Sequence, residues 1–485
     1  MNLPPGPIEP NAADARGPSA EGPTLRDYAN ARTSGPSRPS PERRAPSRPS
    51  PDRPSPDRTA PERSDSTAAA IPHWRTWWTL SRFGQADLAV TLSAVAATLL
   101  GLIAIFDAGY VRSLARDQSL IPPEMRSQLT WLVPSCLAYL VARLVPIAAF
   151  RRAAIGLFAF SIVSLFLVEI FGESQNEAKR WIAVGGQKIQ PSEFAKVALI
   201  LYVAQMLAWK PTAPESRPAR TFNDWIHEHI VPFIRRVGPF VPAFFAMMLV
   251  ERGSDLGTAG VLLAITLVMF LTARIRLKSW LIGGTAVLLV VGILVMAQPY
   301  RMERIRHHQA RWSVDNVNDI GYQTTQSERG MADGGLLGVG VGNGHVKHII
   351  PATTNDFVMA TIAEETGLLG ASIVILILGV LAVRLALLLR AAGNPFARYV
   401  IAGVSAWVAV QACVNIMMAN GTLPAIGIPL PFVSSGGSSL VALWAALGLA
   451  QSAALTAVAK RPVAEERIET RDHRRWDGRA HLPGA

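Results

Sequence analysis

The chain has 485 residues, of which 50% are hydrophobic and 17% are charged, and its formal net charge at pH 7 is +12. Apolar runs of about 20 residues, long enough to cross a bilayer as helices, recur from about residue 87 to residue 458. The runs lack the alternation of lipid-facing strands, which excludes a barrel. The two cysteines, Cys136 and Cys413, lie inside these runs, which excludes a disulfide framework. We therefore expect an all-α polytopic membrane protein.

The first 78 residues have a different composition, dominated by repeated Pro, Ser and Arg with very few aliphatic side chains. Such a segment cannot bury enough apolar surface to offset the entropy lost on ordering, so we expect a disordered cytoplasmic tail. It is either a solvated tail without a specific role or a segment for partner docking or phosphorylation. Residues 461–485 have mixed charge and are expected to form a second cytoplasmic tail, which leaves a membrane domain at 79–460.

About ten membrane-spanning helices are predicted from the apolar runs. The predicted spans are 87–107, 128–147, 152–171, 192–209, 231–250, 256–273, 279–297, 357–385, 398–418 and 437–458. Cations gather on one side of this arrangement, which the positive-inside rule assigns to the cytoplasm. They are Arg143, Arg151, Arg152, Lys210, Arg217, Arg220, Arg235, Arg236, Arg274, Arg276, Lys278, Arg384, Arg390 and Arg398. Both termini are then cytoplasmic, and 298–356 is a large extracytoplasmic loop between helices seven and eight.

The beginning of that loop, YRMERIRHHQAR, is strongly basic although it lies on the side where short loops usually avoid cations. Its basic side chains are Arg301, Arg304, Arg306, Arg311, His307 and His308. Arginine offers a planar fork that matches phosphate oxygens, so the cluster suggests an anionic ligand. The alternative is that these arginines contact anionic lipid.

The end of the loop combines a glycine-rich run, GGLLGVGVGNG, with a lone carboxylate, Asp356, directly before the apolar segment that begins at Phe357. The glycine run is a poor phosphate-binding motif, because no strand precedes it and no Lys-Ser or Lys-Thr pair ends it. An acid fixed where a water-facing loop meets the bilayer can act on a molecule that is half lipid and half polar. Glu364 and Glu365, about two turns into the next helix, are expected to fix the loop or to pair with a base.

Two further motifs contain ionisable groups near predicted helix starts. In QPSEFAK, Pro191 suits the first position of a helix, and Glu193 and Lys196 share one face. This pair either stabilises the helix start or faces a substrate, since ionisable groups at membrane depth are costly. In SDLGTA, Asp255 is either a helix cap or a substrate-binding group.

The run GIPLPFVSSGGSS contains prolines followed by small residues, including Ser434, Gly436 and Gly437. The prolines predict a re-entrant element that lines a cavity. Free backbone donors there would hold a phosphate or a sugar. The alternative is tight helix packing through glycine.

The motifs RWI, QPSEFAK, DLGTA, GGLLGVGVG and GIPLPFVSSGGSS occur in this order across residues 80 to 460. Together they resemble the FtsW/RodA/SpoVE family of shape, elongation, division and sporulation proteins. The resemblance implies a multi-pass glycosyltransferase that polymerises lipid II into peptidoglycan strands at the outer face of the bacterial cytoplasmic membrane, during cell division or elongation. It also implies a class B penicillin-binding protein as partner, with other divisome or elongasome membrane proteins and membrane lipid, and no nucleic acid.

The resemblance assigns the family's essential aspartate to Asp356, and it carries the other functional positions over to Glu193, Lys196, Arg301, Arg304 and Arg306. Glycan extension needs a general base near the acceptor hydroxyl and cations near the departing diphosphate, which agrees with these assignments. A divalent cation such as Mg²⁺ can share the second task, but no ligand cluster in the sequence identifies one.

The sequence departs from the family pattern beside the aspartate. Relatives commonly read P-E-x-H-T-D-F, whereas residues 351–357 read PATTNDF, without the flanking histidine and first acid. A specialised or less active enzyme and a non-catalytic scaffold that recruits the transpeptidase both fit this departure. A lipid II flippase fits less well, because the halves show no repeat and the spans contain few charges.

Overall fold

A computed structural model describes residues 87–455, apart from 118, 176–177, 185, 210–239, 254, 274–298, 315, 318–320 and 351–352. The two predicted tails and the seventh predicted span, 279–297, lie outside the described residues. Within them the chain is mainly helical, as expected. The helices are α1 Leu88–Asp117, α2 Pro123–Leu144, α3 Ile147–Phe171, α4 Pro191–Ala208, α5 Val241–Arg252, α6 Leu256–Thr272, α7 Pro299–Gln309, α8 Tyr322–Asp333, α9 Val346–Ile349, α10 Val358–Leu388, α11 Pro395–Ala419 and α12 Gly437–Ala454, with a 3₁₀ turn at Leu389–Ala391.

Six of the described helices, α1, α3, α4, α10, α11 and α12, are long and apolar enough to cross a membrane, and α6 is apolar but shorter. The chain is therefore an integral membrane protein. The expected total of about ten spans stays a prediction, because part of the fifth and all of the seventh lie outside the described residues.

Pro191 occupies the first turn of α4, as the sequence predicted, because its missing N–H costs nothing there and its fixed φ suits the helix. Pro123 and Pro395 have the same position in α2 and α11, which begin before the predicted starts at residues 128 and 398. Asn394 caps α11 by accepting a hydrogen bond of 2.9 Å from the N–H of Ala397.

A small antiparallel sheet between α3 and α4 was not predicted. Its strands are β1 Glu173–Gln175, β2 Ala178–Val184 and β3 Gln187–Ile189, in the order β1-β2-β3. Strands of three to seven residues give too little alternation to be detected against the flanking apolar runs. The sheet is tied to α2, because Gln187 Oε1 accepts from Trp131 Nε1 at 3.0 Å and from Ser127 Oγ at 3.2 Å.

The membrane helices divide into central and peripheral ones. In the most apolar 18-residue stretch of each helix, 83% of α12 and 67% of α4 are buried within the chain, whereas only 22% of α10 is buried. α12 packs mainly on α2, and α11 packs on α4, α6 and α10. Close contact of α11 with α4 and α6 depends on Gly403, since a Cβ there would lie 2.8 Å from Ile200 and 2.9 Å from Met269. The mostly buried helices α4, α11 and α12 form the centre of the helix bundle and contribute residues to the candidate site.

Candidate active site

Asp356 occupies the turn that directly precedes α10, whose N-cap is Phe357. Phe357 is 1% exposed and anchors the turn, while Asp356 is only partly buried. The Oδ2 of Asp356 lies 3.6 Å from the position that a Cβ at residue 427 would occupy. Gly427 has φ +72°, a region that favours glycine, so its backbone comes close to the carboxylate without a side chain between them.

Gly427 belongs to the connection 421–436 between α11 and α12, which has no helix or strand over 424–430. This connection is pinned to the turn before α10: the N–H of Ser435 donates to the carbonyl of Thr354 at 2.8 Å, and the Ser434 hydroxyl donates to the carbonyl of Asn355. Ser434 Oγ also accepts from the N–H of Leu430 at 2.7 Å. The hydroxyl of Ser434, predicted as a substrate ligand, therefore joins two backbone segments around Asp356.

Two amides of α11, which the sequence reasoning missed, complete this arrangement. Asn415 donates to the carbonyls of Asp356 and Ile428 at 2.9 and 2.7 Å. Gln411, one turn earlier, donates to the carbonyl of Pro429 at 2.9 Å. Both are completely buried. Two amides one turn apart inside an apolar span were the available signal, because buried polar groups in a membrane helix are rarely without a role.

Glu193 and Lys196 form the predicted intrahelical pair, with 2.8 Å between Oε1 and Nζ. Lys196 Nζ also donates to Gln411 Oε1 at 3.2 Å and lies 5.0 Å from the ring centre of Trp407. The two side chains are only 2–3% exposed, so in this conformation neither reaches a substrate. The geometry favours the alternative in which the pair stabilises the start of α4, and the contact with Gln411 joins the pair through α11 to the Asp356 turn.

Asp255 adopts the capping role. Its Oδ1 accepts from the N–H of Thr258 at 3.0 Å at the start of α6, and its Oδ2 accepts from Gln190 Nε2 at 3.2 Å. Arg180 of β2 lies 4.0 Å from Oδ1. Asp255 also borders a small cleft that includes Arg180 and Ser192, although its side chain is only 5% exposed.

Gly436 and Gly437 lie against α2. The N–H of Gly436 donates to Gln128 Oε1 at 3.1 Å, and a Cβ at Gly437 would lie 2.1 Å from Trp131. The sequence predicted that backbone N–H groups here would bind a phosphate or a sugar, but the N–H of Gly436 binds Gln128 instead. The contacts therefore favour the alternative of tight packing through glycine for these two residues.

The basic segment forms α7. The side chains of Arg301 and Arg304 lie outside the described part of the structure, and Arg306 is exposed. Arg311, just after α7, donates to Glu328 of α8 at 2.6 Å, so this cation is committed to the loop itself. Burial lowers the pKa of His308, and the neighbouring Arg311 lowers it further.

The glycine-rich run packs against a break in α10 at Gly367, where φ is +66° and ψ −168°. The break leaves helix carbonyls and N–H groups without partners, and the run satisfies them. Val339 and Gly340 donate to the carbonyls of Glu364 and Glu365 at 3.0 Å each. The N–H groups of Leu368 and Leu369 donate to the carbonyls of Gly335 and Leu336 at 2.9 and 3.2 Å. The glycines thus allow backbone to pack on backbone.

Glu364 and Glu365 fix the loop, as one of the sequence alternatives held. Glu364 accepts from the N–H groups of His345 and Val346 at 2.8 and 2.9 Å. Glu365 pairs with Lys347, the other expected arrangement. Within the described residues no group of three or more His, Cys, Asp or Glu side chains is placed to hold a metal ion, so Mg²⁺ stays a sequence-based expectation.

These features define a class: a polytopic helical membrane protein that holds an aspartate at the start of a broken helix, beside an irregular proline-rich connection. The family model FtsW/RodA/SpoVE, described as a cell cycle protein, matches residues 87–457. The chain belongs to this family.

Individual relatives agree with this assignment. The chain is 30% identical to the probable peptidoglycan glycosyltransferase FtsW of Trichlorobacter lovleyi, over 76% of this chain and 93% of that protein. It is 32% identical to stage V sporulation protein E of Bacillus subtilis, over 60% of this chain and 75% of that protein. A chain from a solved peptidoglycan synthase complex matches with a TM-score of 0.60 and 25% identity, over 78% of this chain and 99% of that one. The rod shape determining protein RodA of Thermus thermophilus, with a TM-score of 0.53, 24% identity and coverage of 76% of this chain and 96% of that one, has the same fold.

Proposed function

We propose that this chain is a peptidoglycan glycosyltransferase that polymerises lipid II into glycan strands during cell division or elongation. Support comes from the relatives named as probable peptidoglycan glycosyltransferases, one of which aligns over 93% of its length. The observation that carries the proposal is the immobilisation of Asp356. Its carbonyl is bound by Asn415, and its turn is pinned to the 421–436 connection, while its side chain is only partly buried.

The proposed reaction is attack of a sugar hydroxyl on the anomeric carbon of a second lipid-linked sugar. The carbon–oxygen bond to the lipid diphosphate breaks as the new glycosidic bond forms. Asp356 takes the proton of the attacking hydroxyl, a role that typically contributes about 100- to 10,000-fold to the rate. Negative charge develops on the departing diphosphate, and Arg301, Arg304 and Arg306 of α7 stabilise that charge. Lys196 is buried and acts on the site through Gln411.

The proposal includes an orientation in the bacterial cytoplasmic membrane. The loop 298–356 faces outward, where the growing strand is needed, and both tails, 1–78 and 461–485, are cytoplasmic. Arg143 at the end of α2, Arg384 in the last part of α10 and Arg398 at the start of α11 support this orientation, because all three lie near helix ends remote from that loop. The similarity to a chain of a peptidoglycan synthase complex supports a class B penicillin-binding protein as partner. Other division or elongation proteins and membrane lipid complete the proposed surroundings.

The test is polymerisation of labelled lipid II by the purified chain together with its cognate transpeptidase. Three forms are compared: the unaltered chain, Asp356→Asn, and Asp333→Asn as a matched control, because Asp333 is an exposed aspartate of the same loop. We expect strands from the unaltered chain and the control, and a rate about 100- to 10,000-fold lower for Asp356→Asn.

Other results would identify other functions. If Asp356→Asn makes strands as fast as the unaltered chain, Asp356 is not the general base. Absence of strands from every form, with transpeptidase binding retained, would indicate a scaffold. Movement of lipid II across vesicle membranes without polymerisation would indicate a flippase.

A further inference from the structure

The buried face of α11 presents two amide side chains to the 421–436 connection. Gln411 and Asn415 are one helical turn apart, and both are completely buried. They donate to consecutive carbonyls of that connection, Gln411 to Pro429 at 2.9 Å and Asn415 to Ile428 at 2.7 Å. The 421–436 connection has no helix or strand at this point, so no regular hydrogen bonding of its own fixes its position. The two amides fix where this backbone lies along the axis of α11.

Asn415 makes a second contact that reaches the candidate base. The same Nδ2 donates to the main-chain carbonyl of Asp356 at 2.9 Å, so one NH₂ group joins the turn before α10 to the connection opposite it. The orientation of the amide is fixed by its chemistry, because a flipped amide would place Oδ1 against two carbonyl oxygens. In the orientation observed, Oδ1 is buried and accepts no hydrogen bond within the described residues.

Gln411 makes its second contact on the other side. Its Oε1 accepts from Lys196 Nζ at 3.2 Å and from Trp407 Nε1 at 2.6 Å. With one side chain facing the Glu193–Lys196 pair and the other facing Asp356, α11 connects two motifs that are far apart in the sequence. No step of the proposed reaction uses either amide directly.

We propose that Asn415 is a positioning residue for Asp356, and that Gln411 supports it by holding the adjoining backbone in register with Lys196. This inference rests on the proposed function. Asn415 holds the main chain of Asp356 rather than its carboxylate, so it sets where the carboxylate begins. Displacement of a catalytic group by about 1 Å can cost roughly 100-fold in rate. Loss of Asn415 should therefore lower kcat and leave KM nearly unchanged.

The decisive variant is Asn415→Asp, which keeps the size and shape of the side chain. An ionised carboxylate has no donor and would face two carbonyl oxygens, whereas a protonated one can donate to one of them. The rate of this variant relative to the unaltered chain should therefore rise as the pH is lowered. Asn415→Leu cannot donate at any pH, and its relative rate should stay low throughout. A role confined to general packing would not produce this difference.

The experiment measures kcat and KM for lipid II at several pH values, using the full chain with its transpeptidase. Ser405→Ala is the control, because Ser405 is a buried polar residue of the same helix, and within the described part of the chain its hydroxyl bonds only to the carbonyl of Ala382, at 3.4 Å. We expect a kcat at least tenfold lower for Asn415→Leu at every pH and for Asn415→Asp at the alkaline end of the range, because burial raises the pKa of the new carboxyl, with partial recovery of Asn415→Asp as the pH is lowered and KM within about twofold.

Each outcome is informative. Unchanged kcat in both Asn415 variants, with Asp356→Asn inactive, would overturn the positioning role and leave the proposed function intact. Full activity of Asp356→Asn would overturn the proposed function itself. If neither Asn415 variant can be purified in a folded form, Gln411→Met serves instead. A lowered kcat at constant KM in that variant would support the inference, and an unchanged kcat would overturn it.

Discussion

The Nζ of Lys347 lies 2.7 Å from the Oδ2 of Asp107, although the two residues are 240 positions apart in the chain. The same ammonium also donates to Glu365 Oε1, so one cation joins α9, α1 and α10. Its side chain is 0% exposed. Burial lowers the pKa of Lys347, but the hydrogen bonds and charges of Asp107 and Glu365 raise it more, so the pKa lies above its usual value. Lys347 therefore remains charged at physiological pH.

We predict that Lys347→Met destabilises the chain strongly. Removing the cation leaves the buried carboxylate of Glu365 facing that of Asp107, which is 15% exposed, and breaking a buried ion pair by removing one partner typically costs about 3–5 kcal/mol. Thermal unfolding in detergent measures the effect. The matched control is Lys188→Met, because the side chain of Lys188 on β3 is exposed and such changes usually stay within about 0.5 kcal/mol. Similar unfolding midpoints for the two variants would contradict this role of Lys347.

The cluster of Lys347, Asp107 and Glu365 could not be predicted from the sequence. The helix that begins at Pro191, the pairing of Glu193 with Lys196 and the cap at Asp255 could be predicted, because each depends on residues within a few positions of one another. Asp107 and Lys347 had no such local signal. Their contact arises only when α1 and α9 pack together, and a single chain without that geometry offers no means of pairing them.

The same reason explains the difference between the predicted and observed surroundings of Asp356. The position of this residue before a membrane helix followed from the sequence, but the residues that hold its backbone did not. Asn415 is 59 positions away and appears in the sequence as an isolated amide in an apolar run. Ser434 and Gly437 were identified from the sequence as candidate site residues. Whether each binds a ligand or packs against the protein depends on its neighbours in the folded chain, which the sequence does not give.

A second prediction concerns His308, at the end of the basic helix α7. Its pKa is lowered by burial and by Arg311, which outweigh the opposite effect of Glu328. The unfolded state, with a histidine pKa near 6.5, therefore binds the proton first as the pH falls. The stability that this neutral ring contributes is present above about pH 6.5 and is lost as the pH decreases toward the folded-state pKa.

We therefore expect the thermal midpoint of the chain to fall between about pH 7 and pH 5, and His308→Gln to reduce that fall. His345→Gln is the control, because His345 belongs to the same loop and its ring is exposed. Unfolding midpoints across this pH range measure the effect. An identical pH dependence in His308→Gln and the unaltered chain would show that the ring does not contribute.

The last prediction separates close packing from backbone conformation in the glycine-rich run. Gly338 and Gly342 have similar positive φ values, +85° and +91°. A Cβ at Gly338 would lie 2.0 Å from the carbonyl oxygen of Glu365, at the break of α10, whereas a Cβ at Gly342 would meet nothing within 4 Å. The conformational penalty of alanine, about 1–2 kcal/mol for a left-handed residue, is therefore common to both positions.

Gly338→Ala should be more destabilising than Gly342→Ala by about 1–3 kcal/mol, the usual cost of forcing extra atoms into a packed region. It should also reduce polymerisation more, because displacing the run breaks the hydrogen bonds from Val339 and Gly340 to Glu364 and Glu365, which end the first segment of α10, the segment that follows Asp356. Thermal unfolding and hydrogen exchange at residues 334–345 measure the two effects. If the two alanine variants lose equal stability, the penalty is purely conformational, and the run does not need its close contact with the broken helix.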